Sequence, residues 1–243
     1  MGAGAANFID VQLRKAVDAG LIEGPRMVAC GRDVVTTGDS VDMHPDWWNL
    51  KMSGLARVCD GPDEFRKAVR EEIKNGVDII KLYVTGGHGL PLDYEVMSMT
   101  EAELEAAVEA AHERGKKIRG HIINKRGILA SARAGLDIID HGDGMDAEAI
   151  DVVAENGCFV APSLYFSWNI LEDKRQNGTS SFEAWIPEMQ QTFDSHAERL
   201  PELEKAGVPL LLGDDFGVGW MPHGDYAREL LAYRDAGMDP LTV

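Results

Sequence analysis

The sequence predicts an α/β fold, a parallel (β/α) barrel of about six strands, on three observations. Apolar, β-branched runs alternate along the chain with stretches of helical period. The runs are too uniformly apolar for a sheet with one wet face, so both faces are expected to be covered. Four ligand-type residues, Lys81, His121, His141 and Asp215, stand near the C-terminal ends of four of these runs. Parallel-barrel enzymes carry their chemistry at that end.

The elements follow in order. Residues 8–20 form a helix with Ile9, Leu13, Ala16 and Val17 on one stripe, stopped by Gly20 and Gly24-Pro25. RMVAC (26–30) is expected as a short strand, followed by a long polar loop, 31–61, that holds HPDWW (44–48). Pro62 opens a helix over 62–75, a position that tolerates its missing N–H. Strand 77–84 (VDIIKLYV) leads into the turn Gly86-Gly87. Thr100 and Glu103 make a capping box for helix 101–115. Then come strand 117–122, helix 126–134, strand 136–141, helix 146–156 and strand 158–162. A less regular stretch, 163–181, precedes a long helix near 182–206. Strand 208–213 and a helix near 224–236 finish the pattern. No composition break divides the chain, so residues 1–243 are expected to form a single domain.

Composition narrows the function classes. The 243 residues carry a net charge of −17, which repels nucleic acid and anionic membrane alike. Cys30, Cys59 and Cys158 lie far apart with no CxxC spacing, so neither a disulfide framework nor a zinc ribbon is expected. With no signal-peptide pattern and no apolar run of membrane-spanning length, the expected location is cytoplasmic.

Lys81 is the most informative residue. It interrupts an apolar strand, and lysine is almost never fully buried without a partner. It is therefore paired with a buried carboxylate, deprotonated as a Schiff-base nucleophile, or carbamylated as a metal ligand. His121 and His141, on successive strands at matching ends, favour the last reading, because neutral imidazole is the commonest metal ligand. Asp214 and Asp215 are neighbours that pleating points in opposite directions, so only one faces the barrel mouth. His88 and His223 lie in loops after predicted strands, where each either reaches a substrate or is simply a solvent-exposed histidine. Trp47 and Trp48 are candidates to line its pocket or a subunit contact, the pocket foremost.

These residues carry a resemblance. The segments GLIEGPRMVACGR, DGPDEFRKAVREEIKNGVDIIKLYVTGG, GHIINKRGI, GLDIIDHGDGMDAEAI and LLLGDDFG resemble the amidohydrolase superfamily, in its imidazolonepropionase-like and Xaa-Pro dipeptidase (prolidase) branch. The resemblance covers essentially the whole chain. It implies a partial TIM-type barrel, strands three to eight of eight, and a metal-dependent hydrolase that cleaves an amide or peptide-like bond with metal-activated water. It further implies Lys81 as a carbamylated lysine, formed with carbon dioxide, that bridges two metals. His121 and His141 would bind the more exposed metal. Asp215 would bind the other metal and act as general base. Divalent metal, zinc foremost, is the implied cofactor, one or two ions per chain.

The chain departs from that family at several points. The family's His-x-His pair, at the end of its first strand, occurs nowhere in these 243 residues. Without it, at most one tightly held metal is expected. Ile123 stands where many members have a substrate-holding His or Tyr. The scaffold also admits a phosphotriesterase or lactonase, and the missing pair admits an inactive or split barrel fragment. An incomplete barrel leaves open edges, so a homo-oligomer or a complementing chain is expected as partner, beside a small-molecule substrate.

Overall fold

The structure is a computed structural model that describes residues 1–39, 42–49, 54–88, 92–218 and 220–239. Gly89, the last residue of the TGGHG segment, and part of the 31–61 loop lie outside the described residues. Six strands form one parallel sheet: β1 (Asp33–Val35), β2 (Ala56–Val58), β3 (Ile79–Tyr83), β4 (Lys117–Ile122), β5 (Ile138–His141) and β6 (Phe159–Ala161). Their order is β2-β1-β3-β4-β5-β6. The sheet does not close on itself among the described residues, so it is a partial barrel with β2 and β6 at its edges.

Helices connect the strands. They are α1 (Ile9–Asp18), α2 (Pro62–Asn75), α3 (Glu101–His112), α4 (Lys125–Ala134), α5 (Ala147–Glu155), α6 (Leu164–Asn177), α7 (Ile186–Lys205) and α8 (Ala227–Asp235). Their ends follow local chemistry. Thr100 and Glu103 complete the expected capping box. Asn124 and Asp146 cap α4 and α5 by accepting the N–H of Gly127 and Ala149. Left-handed Gly76 and Gly135 stop α2 and α4.

The main core lies between the outer sheet face and these helices. Ile80, Leu82, Ile118, Ile122, Ile139 and Val160 meet Phe65, Val69, Leu104, Val108, Ile128 and Val153 there. A separate cluster around Tyr165, Trp168, Leu200 and Tyr233 joins α6, α7 and α8. All three cysteines are free and buried. Among the described residues, no helix is long and apolar enough to cross a membrane.

The strand count of six agrees with the sequence reading, but its membership differs. Residues 26–30 are not a strand. The Asp10 carboxylate takes the N–H groups of Cys30 (2.6 Å) and Gly31 (2.9 Å), so those donors are unavailable to a ladder. β1 and β2 instead arise inside the expected 31–61 loop. Residues 208–213 make only a single bridge, Leu210 to Val160, and Pro209 there has no N–H to donate. The stretch 163–181 contains a regular helix, α6, which Gly178 ends in the left-handed conformation. That glycine is a helix stop the sequence reading overlooked.

Candidate metal centre

Pleating decides which side chains share the inner face of the sheet. Lys81 and Tyr83 of β3 lie in register with Arg119 and His121 of β4. Asp140 of β5 is in register with His121. The outward positions between them carry the apolar core. The inner face is therefore charged, which the apolar appearance of the strands did not suggest.

Lys81 is only 3% exposed, and its Nζ donates to Asp140 Oδ2 at 2.5 Å. Arg119 grips the same carboxylate, with Nε at 2.9 and 3.1 Å from its two oxygens and Nη2 at 2.5 Å from Oδ1. Burial pushes the Asp140 acid up, but the charges of Arg119 and Lys81 reverse this and hold it at about 2. Unmodified, Lys81 is ion-paired with this carboxylate. Asp33 of β1 lies in register with Lys81. Burial is the main cause that raises its carboxyl to about 7, while Lys81 pulls it down and Asp215 pushes it further up.

One step toward the C-terminal ends of the strands, three imidazoles converge. His121 and His141 have ring centroids 4.6 Å apart, and His88 lies 4.9 Å from His141 and 5.7 Å from His121. Each offers a ring nitrogen, and these nitrogens all fall within 4.8 Å of one another. Simple alternation would send Asp140 and His141 to opposite faces. His141 instead takes a left-handed backbone, φ 68°, at the strand end, and its ring turns inward. His88 is also left-handed, φ 51°. It is delivered by Gly87, where a Cβ would sit 1.8 Å from Ile123 Cδ1. Only glycine lets the backbone pass so close to Ile123.

The electrostatics of the three differ. Burial lowers His121 well below the usual imidazole range, helped by His141, His88 and Lys81. Burial likewise lowers His141, to about 4, against the pull of Asp215. Both are neutral at pH 7 and carry lone pairs. His88 is the exception: burial lowers it, but Asp143 outweighs burial and lifts it to about 9. His88 Nε2 is 2.6 Å from Asp143 Oδ2, and His196 Nε2 of α7 is 3.3 Å from Oδ1 of the same carboxylate. His121 Nε2 is buried with no hydrogen-bond partner among the described residues. A buried, unpartnered lone pair beside two more imidazoles fits a divalent metal.

The remaining candidates divide. Asp214 accepts the N–H groups of Phe166 and Asp215, both at 2.7 Å, and is pushed well above the usual carboxylate range by burial, then by Glu229 and Asp215. The charge of Asp215 acts on His88, His141, Asp33 and Arg119. His223 is exposed and pairs with the Tyr226 hydroxyl at 3.0 Å, outside the histidine cluster. Trp47 and Trp48 lie on the surface, 80% and 48% exposed, where Trp48 stacks on His44 and meets Trp47 edge-on. Their described ring contacts do not include the cluster. Exposed aromatics need no pocket to explain them, since much of any protein surface is apolar.

The sequence reading missed Arg119, Asp140, Asp143 and His196. Arg119 stood two residues before His121, on the same face of a strand, and Asp140 directly before His141. Those spacings were the available signal.

With this geometry in view, comparison with known proteins is decisive for the family. The amidohydrolase family model matches residues 1–243. The chain belongs to the amidohydrolase family. It is 27% identical to an ochratoxinase of Aspergillus niger, over 95% of this chain and 50% of that protein. It thus spans about half the length of the curated relatives it matches. Among solved structures, A. niger ochratoxinase superposes with a TM-score of 0.82 at 26% identity, over 98% of this chain and 56% of that one. A prolidase complexed with N-methylphosphonate-L-proline gives 0.80 at 28%, covering 96% and 58%. A Xaa-Pro dipeptidase with methionine bound in its active site gives 0.77 at 29%, covering 97% and 58%.

Proposed function

We propose that this amidohydrolase chain is a metal-dependent hydrolase acting on an amide or peptide-like C–N bond. The observation that carries the reading is the pair His121 and His141. Both imidazoles are buried and neutral at the C-terminal ends of adjacent parallel strands, and His121 Nε2 has no partner among the described residues. The relatives named as prolidase and Xaa-Pro dipeptidase support the bond class.

His121 and His141 would hold a divalent ion, zinc foremost. Such an ion supplies Lewis acidity toward a carbonyl oxygen and lowers the pKa of water to about 7. Asp215, whose charge acts on His88 and His141, would take the proton of the attacking water and return it to the leaving nitrogen. Asp214 instead holds the start of α6 through the Phe166 N–H. Arg119, Lys81 and Asp140 form the charged floor beneath. The substrate is a small molecule. The open sheet edges, with Phe159 and Leu212 partly exposed near β6, make a second copy or a complementing chain the expected partner.

The test is hydrolysis by the zinc-loaded chain, measured against Xaa-Pro dipeptides, N-acyl amino acids, a phosphotriester and a lactone. Amide cleavage is expected, lost by about 100-fold or more in Asp215→Asn. Turnover restricted to the phosphotriester or lactone would overturn the bond class. Full activity in Asp215→Asn, with loss in Asp214→Asn, would overturn the assignment of the general base.

A further inference from the structure

We propose that Phe166, Phe182, Trp185 and Trp220 form an aromatic wall beside the histidine cluster. The wall selects amide substrates that carry an aromatic side chain next to the scissile bond, and the Trp220 indole N–H donates to a substrate oxygen. This rests on the hydrolase reading above and names the substrate class that the same site takes.

The wall is assembled from three separate stretches of chain. In α6, Tyr165 and Trp168 lie three residues apart and belong to the buried core shared with α7 and α8. Phe166, between them, is only half-buried. Its ring lies nearly parallel to that of His88, 12° between planes and 6.2 Å between centroids. Trp220, in the loop that follows Asp215, comes next, 5.8 Å from Phe166. Phe182 is 4.7 Å from Trp220, and Trp185 is 6.2 Å from Trp220 and 5.7 Å from Phe182. The rings therefore run without a break from His88 to the short 3-10 turn Glu183–Trp185.

Hydrogen bonds fasten this wall to the chemistry of the site. The Phe166 N–H donates to Asp214 Oδ2 at 2.7 Å, and Asp214 is the chain neighbour of Asp215, the proposed base. Asn169 of the same helix donates through Nδ2 to the Trp220 backbone carbonyl at 3.3 Å. One helix thus positions the Phe166 ring and the loop that carries Trp220. The wall stands ready before a substrate arrives, so little ordering is left to oppose binding.

Two features say what the wall receives. The first is what it leaves unsatisfied. All four rings are half-buried, and none belongs to the fully buried core, so ring surface remains for a ligand to cover. Trp220 Nε1 is nevertheless buried, with no hydrogen-bond partner among the described residues. A buried indole N–H usually has an acceptor, and one left without it is unfavourable. A carbonyl or carboxylate oxygen of the substrate supplies that acceptor. The second feature is charge. Aromatic faces attract cations as well as other rings. The acid carried by this turn, Glu183, is already engaged by Lys174 and by the Ser180 N–H. A flat apolar group is therefore the better fit, in the offset and edge-on contacts that the wall's own rings already make.

The test measures kcat/KM of the zinc-loaded chain on two matched pairs, N-acetyl-phenylalanine against N-acetyl-alanine and Phe-Pro against Ala-Pro. The first pair puts the ring on the amine side of the bond and the second on the acyl side. A preference for the ring of at least about 10-fold is expected in one pair, since even one methylene in an apolar pocket is worth about that much. Trp220→Ala should abolish the preference. Trp220→Phe guards against a folding defect: it should keep the preference, because a ring remains, and raise KM several-fold, because the donor is gone. The readout is a ratio, so a general loss of activity cannot mimic it. Equal rates within both pairs, a preference that survives Trp220→Ala, an unchanged KM in Trp220→Phe, or faster turnover of N-acetyl-lysine than of N-acetyl-phenylalanine would overturn the proposal. A chain that cleaves no amide would instead bring down the hydrolase reading, and calorimetry with 3-phenylpropionate and propionate then decides on the wall. It stands if the phenyl acid binds at least about 10-fold more tightly and Trp220→Ala removes the difference. It falls if the two acids bind alike.

Discussion

Two clusters share the inner face of the sheet, one residue layer apart, and they are solved in opposite ways. The lower one, Lys81, Arg119 and Asp140, is closed: every charge it contains has a partner inside the protein. The upper one, His88, His121 and His141, is open: His121 Nε2 is buried and unpartnered among the described residues, and two of the three rings are held neutral by burial. A buried polar group without a partner costs stability, so it persists where something else completes it. The lower cluster reads as the floor of a site and the upper as the site.

The sharpest way to break this contrast is to unbalance the floor. Asp140→Asn leaves Lys81 and Arg119 as two buried cations with no anion between them. Removing one partner of a buried pair costs about 3–5 kcal/mol, and a loss of that size is expected in urea unfolding. Lys81→Met leaves Asp140 paired to Arg119, so its expected cost is about 1–2 kcal/mol. Equal costs for the two changes would mean that Lys81, not Asp140, is the hub.

Acid should distinguish the clusters next. His141 has a folded pKa of about 4, below its ordinary value of 6.5. Its contribution to stability is therefore present above about pH 6.5 and is lost as pH falls towards 4, because the unfolded chain binds the proton first. Between pH 7 and 4.5 the metal-free chain should lose on the order of 2–3 kcal/mol through this residue. His141→Gln should lose less over the same interval. Asp140, held at about 2, keeps its charge throughout, so the floor stays intact while the site destabilises. Identical pH profiles for the wild type and His141→Gln would contradict this account.

Metal should then act on the open cluster alone. At a zinc concentration about 100 times Kd, binding stabilises the native state by about 2.7 kcal/mol. The rise in Tm should disappear in His121→Ala; a rise that persists there would take His121 out of the ligand set.

The two clusters were unequally legible in the sequence. His121 and His141 could be read because each ends an apolar run, and His88 because it follows a Gly-Gly turn. The floor was hidden inside what looked like uniform strands. Arg119 and Asp140 occupy alternate positions in KKIRGHII and LDIIDHG, and a count by twos from His121 reaches Arg119. The support of His88 was beyond reach, because Asp143 and His196 are far apart in the chain and meet only when α7 packs over the end of β5. Short strands were hidden for another reason. β1 and β2 have three residues each, too few to show a period, whereas RMVAC had the composition of a strand but gave its Ala29 donor to Asp78 and its Cys30 donor to Asp10.

The smallest expected effect concerns residues the sequence reading drew towards the pocket. Trp47 and Trp48 sit on the surface with His44, and their described ring contacts do not touch either cluster. Exposed side chains away from such features usually change stability by no more than about 0.5 kcal/mol. Trp47→Ala should therefore leave urea unfolding, zinc affinity and its response to acid at wild-type values. A substrate could still approach from that side, so the decisive measurement is kinetic. If Trp47→Ala raises KM several-fold with zinc affinity unchanged, the loop carrying HPDWW closes over the open cluster during turnover, and the pocket is larger than the inner face alone. If KM and kcat both hold, the three histidines, Asp215 and the charged floor account for the site without it.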